Sequence, residues 1–243
     1  MSATAQRLDP AVFRLPVERI RDGYYSDQYF NLTRELLCEE GRRPRVLMQV
    51  FQKEPSIFGG VDEAIAILKQ CSGHRRADGS WDDGWDALEV HALYEGDPIA
   101  PHETVMTIEG DYSLFAHLET VYLGCMARRT LVMRNVAAVV RAAAGKPILF
   151  FPARHDHWLV QTGDGWAAHV AGAIGVSTDA QASWWGGRGL GTVPHSLIAA
   201  YGVGSSLLRG SNDFTADVVR VDGRAVAKAG RGEKPNPCLS RVD

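Results

Sequence analysis

The chain has 243 residues, 26 Lys+Arg against 29 Asp+Glu, and a formal charge of -3. Its 45% apolar and 23% charged residues are ordinary globular composition, and the near-neutral balance argues against a general nucleic-acid binder. A closed eight-stranded α/β barrel takes ~250 residues by itself, so a complete one cannot share this chain with a second domain.

Arg outnumbers Lys 21 to 5. A GC-rich genome explains such a bias, and so does recognition of phosphate or carboxylate, which a planar guanidinium pairs bidentately. The four cysteines, Cys38, Cys71, Cys125 and Cys238, have no paired spacing. That fits neither a zinc knuckle nor a disulfide framework, and predicts reduced thiols in a cytoplasmic protein. The opening residues MSATAQRLDP lack an apolar segment, and no run of about 18 apolar residues occurs. Neither a secretory leader nor a membrane span is expected.

In chain order, Asp22-Gly23 is a turn pair, and Ser26-Asp27 cap a predicted helix over 27–40 that stops at Gly41. Residues 45–52 have the composition of a half-buried strand. Residues 60–71 place apolar side chains at 61, 64, 65 and 68, the helical spacing. The stretch 73–86 is polar and Gly-rich, with Trp81 and Trp85 standing out. Residues 87–111 predict short strands broken at 95–98 and 99–102, a small antiparallel β-sandwich. Within them Met106 and Ile108 alternate with Val105, Thr107 and Glu109. From Tyr112 to Ala144 the pattern is helical, with Leu114, His117, Leu118 and Val121 on one face and Gly145 as the stop.

The second half alternates strands and helices. Residues 147–151 form a continuous apolar run, which suits a parallel strand covered on both faces. A helix is predicted within 154–173 and a short strand at 174–177. A glycine-rich loop spans 186–192, Pro194 to Tyr201 starts a further helix, and Asp222-Gly223 signals a hairpin between two late strands. Such alternation implies βαβ units. The expected organisation is an α+β N-terminal domain over 1–145, a partial α/β barrel over 146–206, and C-terminal strands over 207–243 returning to the first domain.

Several constellations could carry chemistry. Gly191-Thr192-Val193-Pro194-His195 offers close backbone amides, a hydroxyl and a histidine, either an anion cradle with an acid, base or phosphate acceptor, or a turn with a surface histidine. Gly202-Val203-Gly204-Ser205-Ser206 is a second cradle or a simple turn. Arg154-His155-Asp156-His157 follows a buried strand, where α/β folds gather ligands. Arg154 could clamp a carboxylate or phosphate, and the His155/His157 pair could bind a metal or be exposed and solvated. Tyr24, Tyr25, Tyr29 and Phe30 could pack, contact a second subunit or stack on a flat ring. Trp184-Trp185 are packing or a ligand shelf, and residues 75–78 a solvated surface.

Together these segments resemble the nicotinate phosphoribosyltransferase family, and more broadly the type II phosphoribosyltransferases that include the quinolinate enzymes. The likeness is carried by Tyr25-Ser26-Asp27-Gln28-Tyr29 onward, by Glu109-Gly110 through Leu118-Glu119-Thr120, by Gly191-Thr192-Val193-Pro194-His195-Ser196, and by Gly202-Val203-Gly204-Ser205-Ser206-Leu207. The resemblance implies that Tyr29 stacks on nicotinate and that Arg154 holds its carboxylate, with His155 and Thr178 as further substrate contacts. It implies that Gly191, Thr192, Gly204, Ser205 and Ser206 bind phosphate of phosphoribosyl pyrophosphate, and that His195 becomes phosphorylated from ATP. It also implies Mg2+ on the pyrophosphate and a homodimer or higher homo-oligomer, and no metal-ligating residue is expected in this chain.

One departure shapes these expectations. His195 and Gly204 lie only nine positions apart, where the family places several βα units. The strands available cannot close an eight-stranded barrel. The expected fold is therefore α/β with an α+β N-terminal domain and a truncated α/β barrel. The expected function is nicotinate phosphoribosyl transfer in NAD biosynthesis, with a catalytically defective phosphate-binding remnant, or a quinolinate- or nicotinamide-specific relative, as the alternatives.

Overall fold

The computed structural model describes residues 7–191 and, beyond them, the backbone of three short strands. The chain divides into two compact units after Gly189.

In the first unit, a 3-10 turn at Pro10–Phe13 precedes α1 (Val17–Arg21) and α2 (Gln28–Glu39). α2 stops where the sequence predicts, because Gly41 adopts φ +63° and lets the Gly41 and Arg42 amides reach back to the Cys38 and Leu37 carbonyls. Next come β1 (Arg45–Phe51), β2 (Ser56–Ile57), α3 (Val61–Cys71), β3 (Gly73–Arg75) and β4 (Trp81–Asp83). β5 (Glu89–Ala92), β6 (Pro98–Ile99) and β7 (Thr104–Asp111) complete the strand-rich part, and α4 (Glu119–Ala142) follows two 3-10 turns.

β7 is the middle of an antiparallel sheet in the order β1-β7-β5. The register pairs Met48 and Val90 with Ile108, and Val50 and Ala92 with Met106. That face is apolar and turns inward, whereas Arg45 pairs with Glu109 on the wet face at 2.9 Å. The inward face packs with α3 and the start of α4 in one core that includes Ile67, Leu68, Ile108, Phe115, Leu118 and Tyr122. Each fully buried aliphatic side chain here contributes about 1.5–3 kcal/mol. The strands of 87–111 thus do not form the expected β-sandwich. A single sheet is covered by helices, because α3 and α4 supply the apolar face that a second sheet would otherwise supply. β2–β6 and β3–β4 are separate two-stranded ladders.

Gly60 shows how close α3 and α4 come. It has φ +83°, and a Cβ there would lie 2.7 Å from the Cys125 carbonyl oxygen and 2.9 Å from the Met126 Cα. Only glycine fits both the backbone conformation and the space.

The remainder of this unit is βαβ in character. β8 (Leu149–Phe150) pairs in parallel with β9 (Gly175–Val176), joined through α5 (Gln161–Val170), and α6 (Asp179–Ala182) follows. The parallel pairing agrees with the sequence reading, but the extent does not. β8 is two residues long rather than five, and Leu149 and Phe151 are 39% and 38% exposed rather than covered on both faces. A ladder of two strands offers its apolar side chains no third strand and few facing helices.

Beyond Gly189, β10 (Ser206–Leu208), β11 (Val218–Val221) and β12 (Arg224–Ala225) form an antiparallel sheet in that order. β11 and β12 flank Asp222-Gly223 with Val221 opposite Arg224, as the hairpin signal predicts.

Candidate functional site

The parallel pair defines a direction. Arg154, His155 and Thr178 all follow the C-terminal ends of β8 and β9, where α/β folds gather ligands. Arg154 and His155 lie on an exposed turn closed by the His155 amide donating to the Pro152 carbonyl at 2.7 Å. Arg154 makes no ion pair among the described residues. His155 also borders a mainly apolar cavity of about 360 Å3 with Val136, Val139, Leu149 and Phe151.

Thr178 is more committed. Its hydroxyl caps α6 by accepting from the Gln181 amide at 3.1 Å, and donates to Gln161 Oε1 at 2.9 Å. Its position thus has a structural cause independent of substrate. His157 is similarly used, accepting from the Leu159 amide at 3.2 Å and stacking on Trp158. Among the described residues, no cluster of three His, Cys, Asp or Glu could hold a metal ion.

Tyr29 projects from the first turn of α2, 61% exposed, with its ring against Phe30. The start of α2 is fixed by a contact that the sequence does not announce. Asp27 does not cap its own helix. Its carboxylate accepts from Thr120 Oγ1 at 2.8 Å, and its amide donates to the same oxygen at 3.0 Å. The aromatic segment is thereby tied to the start of α4. Beside Thr120, partial burial raises the Glu119 carboxyl above its ordinary value.

A second unannounced set joins α4 to α5. Arg128 grips both oxygens of Asp164 at 3.2 and 2.7 Å, and Arg129 reaches Asp164 at 2.8 Å and Glu63 at 3.2 Å. Asp164 is almost wholly buried. Gly163 leaves room for this cluster, since a Cβ there would fall 2.0 Å from the Arg129 guanidinium carbon. Trp184 packs edge-on against Phe13 and under Arg129, so it belongs to the packing, while Trp185 stacks on His169 at 4.3 Å.

Gly191 is described and exposed. Thr192, His195, Gly204 and Ser205 lie outside the described residues, as does the Ser206 side chain. Ser206 itself opens β10.

Residues 27–130 match the family described as quinolinate phosphoribosyl transferase, N-terminal domain. The fold is similar to the nicotinate-nucleotide pyrophosphorylase of Pyrococcus furiosus, with a TM-score of 0.64 and 29% identity over 76% of this chain and 45% of that one. Human nicotinic acid phosphoribosyltransferase shares the fold at a TM-score of 0.60 and 18% identity, over 73% of this chain and 41% of that one. In sequence, the chain is 25% identical over 164 residues to nicotinate phosphoribosyltransferase pncB1 of Mycobacterium tuberculosis (strain CDC 1551 / Oshkosh). That alignment covers 58% of this chain and 36% of the mycobacterial protein.

The architecture is therefore mixed α/β with an N-terminal domain similar to that of the quinolinate phosphoribosyl transferases. Residues 27–130 carry the likeness to the quinolinate phosphoribosyl transferase N-terminal domain, and the chain spans less than half the length of the three relatives named above.

Proposed function

We propose that this chain carries the pyridine-binding part of a nicotinate phosphoribosyltransferase. The observation that carries the reading is Arg154. It is an exposed guanidinium without a carboxylate partner among the described residues, on the turn beyond the C-terminal end of a parallel strand. Where Arg128 and Arg129 are consumed by Asp164 and Glu63, Arg154 is available to pair with the carboxylate of a pyridine acid. Tyr29, exposed on the first turn of α2, supplies a flat ring for stacking.

In the proposed reaction the pyridine nitrogen attacks C1 of the ribose. The new C–N bond forms as the C–O bond to pyrophosphate breaks, and pyrophosphate leaves with the electron pair. The chain's task is positioning and charge neutralisation. His155 would contact the pyridine acid beside Arg154, and Thr178 would hold the adjoining backbone through its cap. Phosphate binding falls to Gly191, Thr192, Gly204, Ser205 and Ser206, and phosphoryl acceptance from ATP to His195. Mg2+ would enter with the pyrophosphate. The described residues include no carboxylate cluster suited to hold it, so no step is assigned to it.

A homodimer in a cytoplasmic setting completes the proposal. Tyr29, Leu32 and Leu36 form an exposed apolar stripe along α2, with Tyr25 exposed in the turn before it, suited to a second copy. No described helix is long and apolar enough to cross a membrane, and Cys38, Cys71 and Cys125 are unpaired. The test is incubation of purified chain with phosphoribosyl pyrophosphate, Mg2+, ATP and, in turn, nicotinate, quinolinate and nicotinamide. Nicotinate mononucleotide from nicotinate alone supports the reading, and product from quinolinate or nicotinamide instead reassigns the substrate. Folded chain without turnover favours the second reading, a non-catalytic phosphate-binding remnant, which the short span against its relatives motivates.

A further inference from the structure

We propose that Cys38 is a reactive thiol that exchanges with small disulfides, with His74 as the base that takes its proton. Cys38 is exposed near the end of α2, nine residues and about 14 Å along the helix from Tyr29. Its Sγ lies 3.5 Å from His74 Nδ1. The other ring nitrogen, Nε2, lies 3.2 Å from Ser113 Oγ, and Ser113 Oγ lies 2.7 Å from Asp111 Oδ1.

This chain of contacts assigns the protons. An ionised carboxylate only accepts, so the Ser113 hydroxyl donates its single proton to Asp111. Ser113 Oγ must then accept from His74, which places the ring proton on Nε2. Nδ1 is left with a lone pair facing the thiol. Asp111 also accepts from the Ser113 amide at 2.9 Å, and Ser113 is fully buried, so the relay is held in place. This is a nucleophile, a base and groups orienting the base, assembled from α2, β3, the end of β7 and the 3-10 turn after it. Burial, with Arg43 nearby, lowers the His74 pKa, so the ring is neutral near pH 7.

Arg34 lies one helical turn before Cys38, on the same face of α2. It is half-buried, donates to the Arg21 carbonyl at 2.7 Å, and pairs with no carboxylate among the described residues. Arg21 and Arg75, by contrast, are taken by Glu18 and Asp22 and lie over the Trp81 ring. Arg34, Cys38, His74 and Trp81 border a cavity of about 290 Å3 that admits a small disulfide.

The exchange is balanced. The Cys38 proton passes to His74 Nδ1, and the thiolate attacks one sulfur of the disulfide. Its S–S bond breaks as the mixed disulfide forms, and the departing thiolate takes the proton back. Cys38 is oxidised to the mixed disulfide and the released half is reduced to a thiol.

The test uses the full chain carrying Cys238→Ser, so that Cys71 and Cys125 are the only other thiols. Both are shielded, and burial pushes the Cys71 thiol up to about 12 and raises Cys125 as well. Reaction with 2,2′-dithiodipyridine at pH 7 is followed by thiopyridone release, with N-acetylcysteine amide as reference and Cys38→Ser to assign the signal. The expected rate for Cys38 is at least about tenfold above the reference, falling to within about twofold of it in His74→Gln. A wild-type rate equal to the reference overturns the proposal, as does an unchanged rate in folded His74→Gln. Should that variant fail to fold, the wild-type rate and Ser113→Ala decide, the latter expected to lose several-fold and to overturn the relay if it loses nothing.

Discussion

The sheet of β1, β7 and β5 and the parallel pair β8–β9 show what a strand needs in order to be buried. β7 has a partner on each side and helices over its apolar face, and Ile108 is fully enclosed. β8 has one partner over two residues, and its own Leu149 and the adjoining Phe151 and Ile174 are exposed. Both segments are apolar in sequence. Neighbouring elements, not composition, decide which becomes core. The parallel pair meets α4 through Phe150 in the small apolar cluster of Val136, Ala168 and Ala173, and α5 is tied to α4 by the charge cluster at Asp164, so its placement depends on few side chains.

The largest expected effect follows from that dependence. Asp164→Ala leaves Arg128 without its bidentate partner and Arg129 with Glu63 alone. Removing one member of a buried ion cluster costs about 3–5 kcal/mol. Denaturant unfolding should show that loss. A change below about 1 kcal/mol would mean that α5 is held by other contacts. Gly60→Ala strikes the other region, where the added Cβ meets the α4 backbone and the left-handed conformation is disfavoured. A loss of about 2–3 kcal/mol is expected, and a neutral result would show that α3 and α4 can separate.

His117 adds a pH dependence to the well-packed region. It is fully buried, and the Cys71 carbonyl lies near it without reaching hydrogen-bond geometry. Burial pushes its pKa down to about 3. The unfolded chain therefore takes up a proton below pH 6.5 that the folded chain refuses until about pH 3. Stability contributed by neutral His117 is present above pH 6.5 and lost as pH falls below it, by about 2 kcal/mol at pH 5. The comparison is made as wild type minus His117→Gln at pH 7.5 and pH 5, so that other groups cancel. One such group is Glu95, which burial pushes up to about 7 and which acts in the opposite direction. Equal acid losses in both chains would contradict the assignment. The smallest effect belongs to the open pair, where Leu149→Ser should change stability by no more than about 0.5 kcal/mol. A larger loss would show that a partner covers this face in solution.

Much of the architecture was legible because local signals and tertiary packing agree. α2 and α3 lie within a residue or two of their predicted bounds, since Gly41 and the spacing of Val61, Ala64, Ile65 and Leu68 act locally. The sandwich expectation failed because alternation in β7 reveals one buried face without saying whether a sheet or a helix covers it. The candidate site divides in the same way. Arg154 and His155 were legible as the turn after an apolar strand. Thr178 entered only through the family resemblance, and its capping role needed the structure. Asp27–Thr120 and the Cys38–His74–Ser113–Asp111 relay were not legible, because their members lie 93, 36 and 39 positions apart and carry no shared spacing.

The most direct test of the central claim is the kcat/KM for nicotinate in wild type against Arg154→Gln. A hydrogen-bonded carboxylate contact to a guanidinium is worth about 1.5–3 kcal/mol, or roughly tenfold to a hundredfold. The account predicts a loss of that size carried chiefly by KM. Measurable turnover with kcat/KM unchanged in Arg154→Gln would contradict it.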